Sequence, residues 1–309
     1  MLIHENRTFY ISVIICTFNR SNRLEMLFDA IRRQQNHSTF HTEFIFIDNN
    51  STDDTRTKIE SFKESTSFSV SYLIEKKRGS SAARNKGILK SSGSVVAFLD
   101  DDCLPSPQWL ANIAEYFSNE DIDVAGGKVL LNNPLDLPLS IRTSDEETRL
   151  ENIEQLFGTI PGCNMVFRRH VLEKIGVFDE DLGAGLPLAA EDVDLIYRAL
   201  RNGYHLRYTP KFCVFHDHGR RTLNDARLLD RSYLRGRGGM YAKYSIAKDW
   251  QIARSAYWEI CSLCRKAIKP PIKGEPSLNY IKEVVYIIQG FVLVSWRVFV
   301  SKKHSVPNT

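Results

Sequence analysis

The chain has 309 residues, 43% of them hydrophobic and 25% charged, which is the composition of an ordinary globular protein and excludes disordered, collagen-like and coiled-coil chains. Lysine and arginine number 41 against 37 acids, and a net charge of +4 is too small to mark a nucleic-acid binder, so no nucleic-acid partner is expected. The six cysteines are scattered, and the opening Met1-Leu2-Ile3-His4-Glu5 lacks the basic and then apolar start of a signal peptide, so a reducing cytoplasm is expected. Only Cys261 and Cys264 have metal-like spacing, and the second pair that a structural zinc site needs is missing.

Short apolar runs alternate with amphipathic stretches through the first half, the pattern of βαβ units around a largely parallel sheet. Tyr10 to Cys16 (YISVIIC) reads as a buried strand, followed by the polar turn Thr17-Phe18-Asn19-Arg20 and a helix with Leu24, Leu27, Phe28 and Ile31 on one face. Glu43 to Ile47 is a second strand that stops at the turn and cap cluster Asp48 to Asp54. Val70 to Ile74 is a third. After a basic loop (Lys76, Lys77, Arg78, Gly79) come a helix from Ala82 to Leu89 and a fourth strand from Ser94 to Leu99, ending on Asp100-Asp101-Asp102. A helix carrying Trp109, Leu110, Ile113 and Phe117 follows. Later strand candidates are Val124 to Leu131, Cys163 to Phe167 and His205 to Tyr208, with a helix from Val193 to Leu200. Polar clusters thus follow strands one, two and four, on the sheet edge where open α/β proteins bind ligands.

Three carboxylates at one strand end repel one another unless a cation or basic partner neutralises them, and Asp100 and Asp102 are spaced to grip Mg²⁺ or Mn²⁺. Capping of the next helix is the plain alternative, but a cap needs one acid. Asp48 can accept hydrogen bonds from a base or ribose. Glu191 and Asp192 are expected just before a helix and Asp194 in its first turn, where they serve either as caps or, on a loop, as a general base. His216-Asp217-His218 follows the β-type run Phe212 to Phe215 and offers metal or phosphate contacts. Arg220, Arg227, Arg231 and Arg235 recur at helical spacing, and Arg235-Gly236-Arg237-Gly238-Gly239 reads as a flexible basic loop; either a solvated face or a guanidinium clamp on pyrophosphate accounts for them.

As a set, IICTFNR (14–20), IDNNSTDDT (47–55), ARNKGI (83–88), FLDDDC (98–103), AEDVDLIYR (190–198) and VFHDHG (214–219) resemble, in order, the motifs of glycosyltransferase family 2. The resemblance runs from about Tyr10 to about Tyr244. It implies the α/β GT-A fold, with a Rossmann-like, mostly parallel central sheet flanked by helices, and inverting transfer from a UDP-, GDP- or dTDP-sugar. It further implies that Thr17 and Asp48, with Phe18, hold the nucleoside, that Arg84 acts at the base or phosphate, and that Asp100 and Asp102 form the metal-binding pair for Mn²⁺ or Mg²⁺. Asp101 falls in the same donor site, and the pair is ambiguous between Asp100/Asp102 and Asp101/Asp102. By the same carry-over Asp192 is the catalytic base, Glu191 a neighbour that positions acceptor or base, His216 a further metal or pyrophosphate ligand, and Arg235 and Arg237 lie on a lid over the donor. Asn49 stands where many members have a second aspartate.

This gives an expected GT-A domain over 1–220 and a helical C-terminal region over 221–309. No window reaches the roughly 18 to 20 uncharged apolar residues of a membrane span. The nearest, Val284 to Trp296 with basic ends, suits a buried helix or a segment lying in a membrane interface. The expected acceptor is a glycan or lipid-linked hydroxyl at the cytoplasmic membrane face, as part of cell-surface polysaccharide synthesis. A sugar-phosphate nucleotidyltransferase is a competing reading, although Thr17-Phe18-Asn19-Arg20 lacks the glycines of its loop, and a non-catalytic glycan- or nucleotide-binding module of the same fold is another.

Overall fold

Chains rich in buried β-branched and aromatic runs bury both faces of a sheet under helices. The computed structural model, which describes residues 9–35, 40–268 and 278–304, shows this arrangement. In chain order the first half holds β1 (Phe9–Thr17), α1 (Leu24–Arg32), β2 (Phe40–Asp48), α2 (Thr55–Ser65), β3 (Ser69–Ile74), α3 (Ser80–Lys90), β4 (Val95–Asp100), β5 (Cys103–Pro105) and α4 (Trp109–Asn119). The second half holds β6 (Val124–Leu131), β7 (Thr148–Arg149), a 3₁₀ turn at Ile153–Gln155, β8 (Asn164–Arg168), α5 (Arg169–Ile175), α6 (Glu191–Arg201) and β9 (Leu206–His216). It closes with α7 (Leu223–Ile246), α8 (Trp250–Ile268) and α9 (Leu278–His304).

Among the described residues the strands form one nine-stranded sheet in the order β3-β2-β1-β4-β8-β6-β9-β5, with β7 beside β9. Strands β1 to β4 run parallel, as do β6 and β9, and the antiparallel β8 joins the two blocks. Because the chain leaves β1 for β2 on one side while β4 lies on the other, a crevice opens beyond the carboxyl ends of β1 and β4. Successive residues of β1 point to opposite faces. Ile11, Val13 and Ile15 pack under α1, α2 and α4 with Phe28, Phe62 and Trp109, whereas Ile14 packs with Ala83 of α3, Leu195 of α6 and Met240 of α7.

Three expectations are corrected. Glu191 and Asp192 do not precede α6 but form its first turn. The glycine-rich stretch from Arg235 to Gly239 is neither loop nor lid: it lies inside the 24-residue α7. Its glycines permit close backbone approach. A Cβ on Gly236 would strike the carbonyl of Ala189, one on Gly238 the carbonyl of Ile287, and one on Gly290 of α9 the carbonyl of Arg235. Third, α9 runs for 27 residues, and its segment Asn279–Val300 has a mean hydropathy of 1.6, long and apolar enough by length and composition to cross a membrane. That segment is only 11% buried, so α9 is not a buried core helix; Ile287 and Gly290 are its buried residues among those described.

The α7–α9 crossing predicts a graded result. Gly238→Ala must push two backbones apart, a cost of about 1–3 kcal/mol, and should lower the thermal midpoint by several degrees. Gly239→Ala meets only side chains, the nearest Val294 at 3.1 Å, and should lower it less.

Candidate active site

Register brings the strand ends together. Thr17 is the parallel partner of Asp48, and Cys16 that of Asp100, so the ends of β2, β1 and β4 stand side by side at the crevice. There a cleft of about 700 Å³ is walled by Thr17, Phe18 and Arg20 after β1, by Asn49, Asn50 and Thr52 after β2, and by Lys76, Arg78, Gly79 and Ser80 before α3. Arg84 and the three aspartates form another wall, with Ala184, Gly185 and Arg220 completing it. Phe18 is 53% exposed, a flat apolar surface at the rim on which a base can stack.

The loops are locked to one another. Asn19, at a left-handed φ of 52°, accepts from the Thr52 amide and donates its own amide to Ser51 Oγ. Asn49 donates to the carbonyls of Glu75 and Lys77 at 2.9 and 2.7 Å and accepts from the amide of Gly79. An aspartate there would have no hydrogen to donate to either carbonyl, which gives a physical reason for asparagine at this position. Gly79 needs no side chain because its φ of 121° is open to glycine almost alone. Asp48 departs from expectation. It is 2% exposed, accepts from Tyr72 Oη at 2.7 Å and from the Ser51 amide at 2.8 Å, and so shapes the turn rather than facing the cleft.

Arg84 also has a structural job. Its buried guanidinium spans Asp100 (2.9 Å) and Glu191 (2.8 Å), joining the end of β4 to the start of α6, and it stacks 5.5 Å from the centre of the Phe178 ring. Ser80 adds a 3.0 Å hydrogen bond to Glu191. Asp192, next along the helix, is half-buried, and burial followed by the neighbouring Glu191 raises its carboxyl to about 6 despite the opposing Arg84. A Cβ on Gly162 would collide with the Asp192 carboxylate, so this glycine makes room for it.

Asp101 and Asp102 lie beneath Arg20, at 3.7 and 3.6 Å. Burial and the adjacent Asp102 raise Asp101 to about 7. Asp102 is lowered despite its burial because His216, 3.3 Å away, donates to it; the same contact outweighs the burial of His216 and raises the imidazole to about 9. His218 is spent elsewhere: Nε2 meets the Leu137 carbonyl at 3.1 Å and Nδ1 accepts from the Arg220 amide at 2.9 Å with Asp136 3.6 Å away, although the two histidine rings meet edge to face at 5.0 Å.

The structure therefore brings together Thr17, Phe18, Arg84, Asp100, Asp101, Asp102 and His216, with Glu191 and Asp192 linked to them through Arg84. It does not bring Arg235 and Arg237 to the cleft: Arg235 bonds Gln289 of α9 and Arg237 pairs with Glu259 of α8 and covers the Phe157 ring. Of the downstream arginines Arg220, Arg227, Arg231 and Arg235, Arg220 lines it. Lys76, Arg78 and Ser80 were missed as site residues, although the basic loop before α3 was visible in the sequence.

A parallel sheet edge carrying aspartates, a cationic rim and an aromatic platform agree with a glycosyltransferase of the GT-A fold, the class to which its relatives assign the chain. The chain belongs to glycosyl transferase family 2, which matches residues 12–176, while glycosyl transferase family group 2 matches residues 95–299. It is 32% identical to glycosyltransferase AglE of Haloferax volcanii over 203 residues, 64% of this chain and 64% of that protein. Over 94 residues, 30% of this chain and 29% of the relative, it is 36% identical to a Campylobacter jejuni GalNAc(5)-diNAcBac-PP-undecaprenol beta-1,3-glucosyltransferase. The chain thus spans less than two thirds of either relative. Its fold is similar to that of the mannosyltransferase PcManGT from Pyrobaculum calidifontis, solved with GDP-Man and Mn²⁺, with a TM-score of 0.63, 18% identity, and 93% and 87% of the two chains covered.

Replacing Arg84 by Met leaves buried Glu191 and neighbouring Asp100 without their shared cation. The expected loss is about 3–5 kcal/mol of unfolding free energy, measured by denaturant titration, with Arg84→Lys recovering only part because one ammonium cannot fork between two carboxylates.

Proposed function

We propose that the chain is an inverting glycosyltransferase that moves a sugar from a nucleoside diphosphate sugar to a glycan or lipid-linked hydroxyl. The observation that carries this reading is the Asp100–Arg84–Glu191 bridge, which holds an acid-rich strand end and a helix-borne carboxylate, Asp192, at one cleft. Phe18 and the turn from Asn49 to Thr52 receive the nucleoside, with Thr17 at the strand end and Asp48 supporting that turn. Arg20, Lys76, Arg78 and Arg220 surround the diphosphate, and oriented cations stabilise charge that grows on the leaving group.

The donor set suits a divalent ion. Carboxylate oxygens with one imidazole match Mn²⁺ or Mg²⁺ better than a thiophilic metal. Asp102 faces His216 and Asp100 is the most exposed of the three acids, at 37% for its side chain against 10% and 9%, which favours Asp100, Asp102 and His216 as ligands. When bound, the ion supplies Lewis-acid stabilisation of the diphosphate. Asp192 takes the proton from the acceptor hydroxyl as that oxygen attacks the anomeric carbon in line and the carbon–diphosphate bond breaks. No protein nucleophile is required.

The exposed apolar α9, with Trp296, Phe299 and Val292 outward and Arg297 beside them, supports a membrane-surface location and an acceptor presented there, in line with a relative named for an undecaprenol-linked substrate. The helical region from residue 221 onward is the proposed unit for that contact, and residues 1–220 the proposed catalytic domain.

A thermal-shift series with UDP-, GDP- and dTDP-sugars, with and without Mn²⁺, tests donor use, because a ligand that binds only the folded state raises the midpoint. Asp102→Ala should weaken Mn²⁺-dependent donor binding about tenfold or more, and unchanged affinity would move the ion elsewhere. Asp192→Asn should bind donor normally while turnover falls by about 10²–10⁴-fold. A base must be ionised, so wild-type turnover should rise with pH through about 6 and level off above it; a profile flat from pH 5 to 8 would remove Asp192 from this role.

A further inference from the structure

Directly behind the acid cluster lies a second set of metal-ligating groups, of which only His216 has a part in the transfer reaction as read above. Cys103 opens β5, and its cross-strand partner in β9 is His216. Cys163, the residue before β8, comes up beside them, and the two sulfurs and one imidazole nitrogen lie within 4.8 Å of one another. All three residues are buried: Cys103 at 0%, Cys163 at 8% and His216 at 5% exposure.

We propose that Cys103, Cys163 and His216 form a binding site for a thiophilic divalent ion, Zn²⁺ or Cd²⁺. Two thiolates and an imidazole are a soft donor set that selects these ions over Mn²⁺ and Mg²⁺. With metal–sulfur bonds of about 2.3 Å, tetrahedral ligands sit roughly 3.8 Å apart, so the side chains need draw in by only about 1 Å from the spacing seen. To ligate, the imidazole gives up one of its two 3.3 Å contacts, Nε2 to Asp102 or Nδ1 to the Ser140 carbonyl. Asp102 or a water completes the tetrahedron. Binding releases the two thiol protons and the proton of the ligating imidazole nitrogen to solvent, so affinity rises with pH. Entry is from the cleft, past Asp102, which lines it.

One ligand is shared. If His216 also serves the donor-side ion, as the reading above has it, Zn²⁺ in the rear site withdraws His216 from the Asp102 side and inhibits transfer.

The test is a Cd²⁺ titration of the metal-free full chain, following the near-ultraviolet thiolate-to-cadmium absorption. It is run in a Cys261→Ser/Cys264→Ser background, because that pair is more accessible and spaced one helical turn apart. The expected result is a band that saturates at one Cd²⁺ per chain, is competed away by excess Zn²⁺, survives excess Mg²⁺, and is lost in Cys103→Ser and in Cys163→Ser. A missing band, or one unchanged in both variants, overturns the site. Should Cys103→Ser fail to fold, alkylation of Cys163 in the otherwise unaltered chain decides: Zn²⁺ must block it, and an unaltered rate overturns the site. The same preparation assayed for transfer separates the two readings, since a band without inhibition removes the sharing of His216 and leaves the rear site intact.

Discussion

One buried guanidinium holds the site together. Arg84 is enclosed by protein, and a cation there is tolerable only if carboxylates meet it. The two that do, Asp100 and Glu191, come from elements some ninety residues apart, so the end of β4 and the start of α6 are held at one place. The segment between α5 and α6 follows. Asn85 accepts from the Phe178 amide at 2.8 Å and donates to its carbonyl and to Glu180, and Ser81 donates to the Leu182 carbonyl at 2.5 Å. Helix α3 is thus the inner support on which the approach to Glu191 and Asp192 is laid.

A second buried charge fixes the other side of α6. Asp194 is fully buried and surrounded by Lys243 at 2.6 Å, Tyr244 at 2.8 Å and Arg198 at 3.0 Å. Lys243 also pairs with Asp179, so α7 is tied both to α6 and to the segment preceding it. Helix-start acids are commonly read as caps, but here the side chain of Asp194 spends its charge on Lys243 of α7 and on Arg198 of its own helix.

Much of the fold was legible because burial on both faces writes itself into a strand. The runs YISVIIC, EFIFI and SVVAFL needed no other signal, and their following acids marked the binding edge. Other features were hidden for physical reasons. Arginine-glycine repeats favour loops when read locally, and only the opposing α9 backbone shows that Gly238 and Gly290 are contact points. Asp48 looked like a ligand because its type and place suit one, yet a hydroxyl from β3 reaches it first. Asp192 could be read as base or cap, and its setting beside Gly162 depends on a segment thirty residues upstream that carries no local sign of it. The rear pair of thiols was invisible because Cys103 and Cys163 are sixty residues apart and meet only through strand pairing.

The α7–α9 crossing has a mechanical meaning. With backbones touching at Gly238 and Gly290, and Asp194 pinning α6 to α7, the outward apolar stripe of α9 and the carboxylate of Asp192 belong to one stiff frame. Such a frame sets the spacing of the two by backbone contact, so a substitution that parts α7 from α9 also shifts that stripe relative to Asp192.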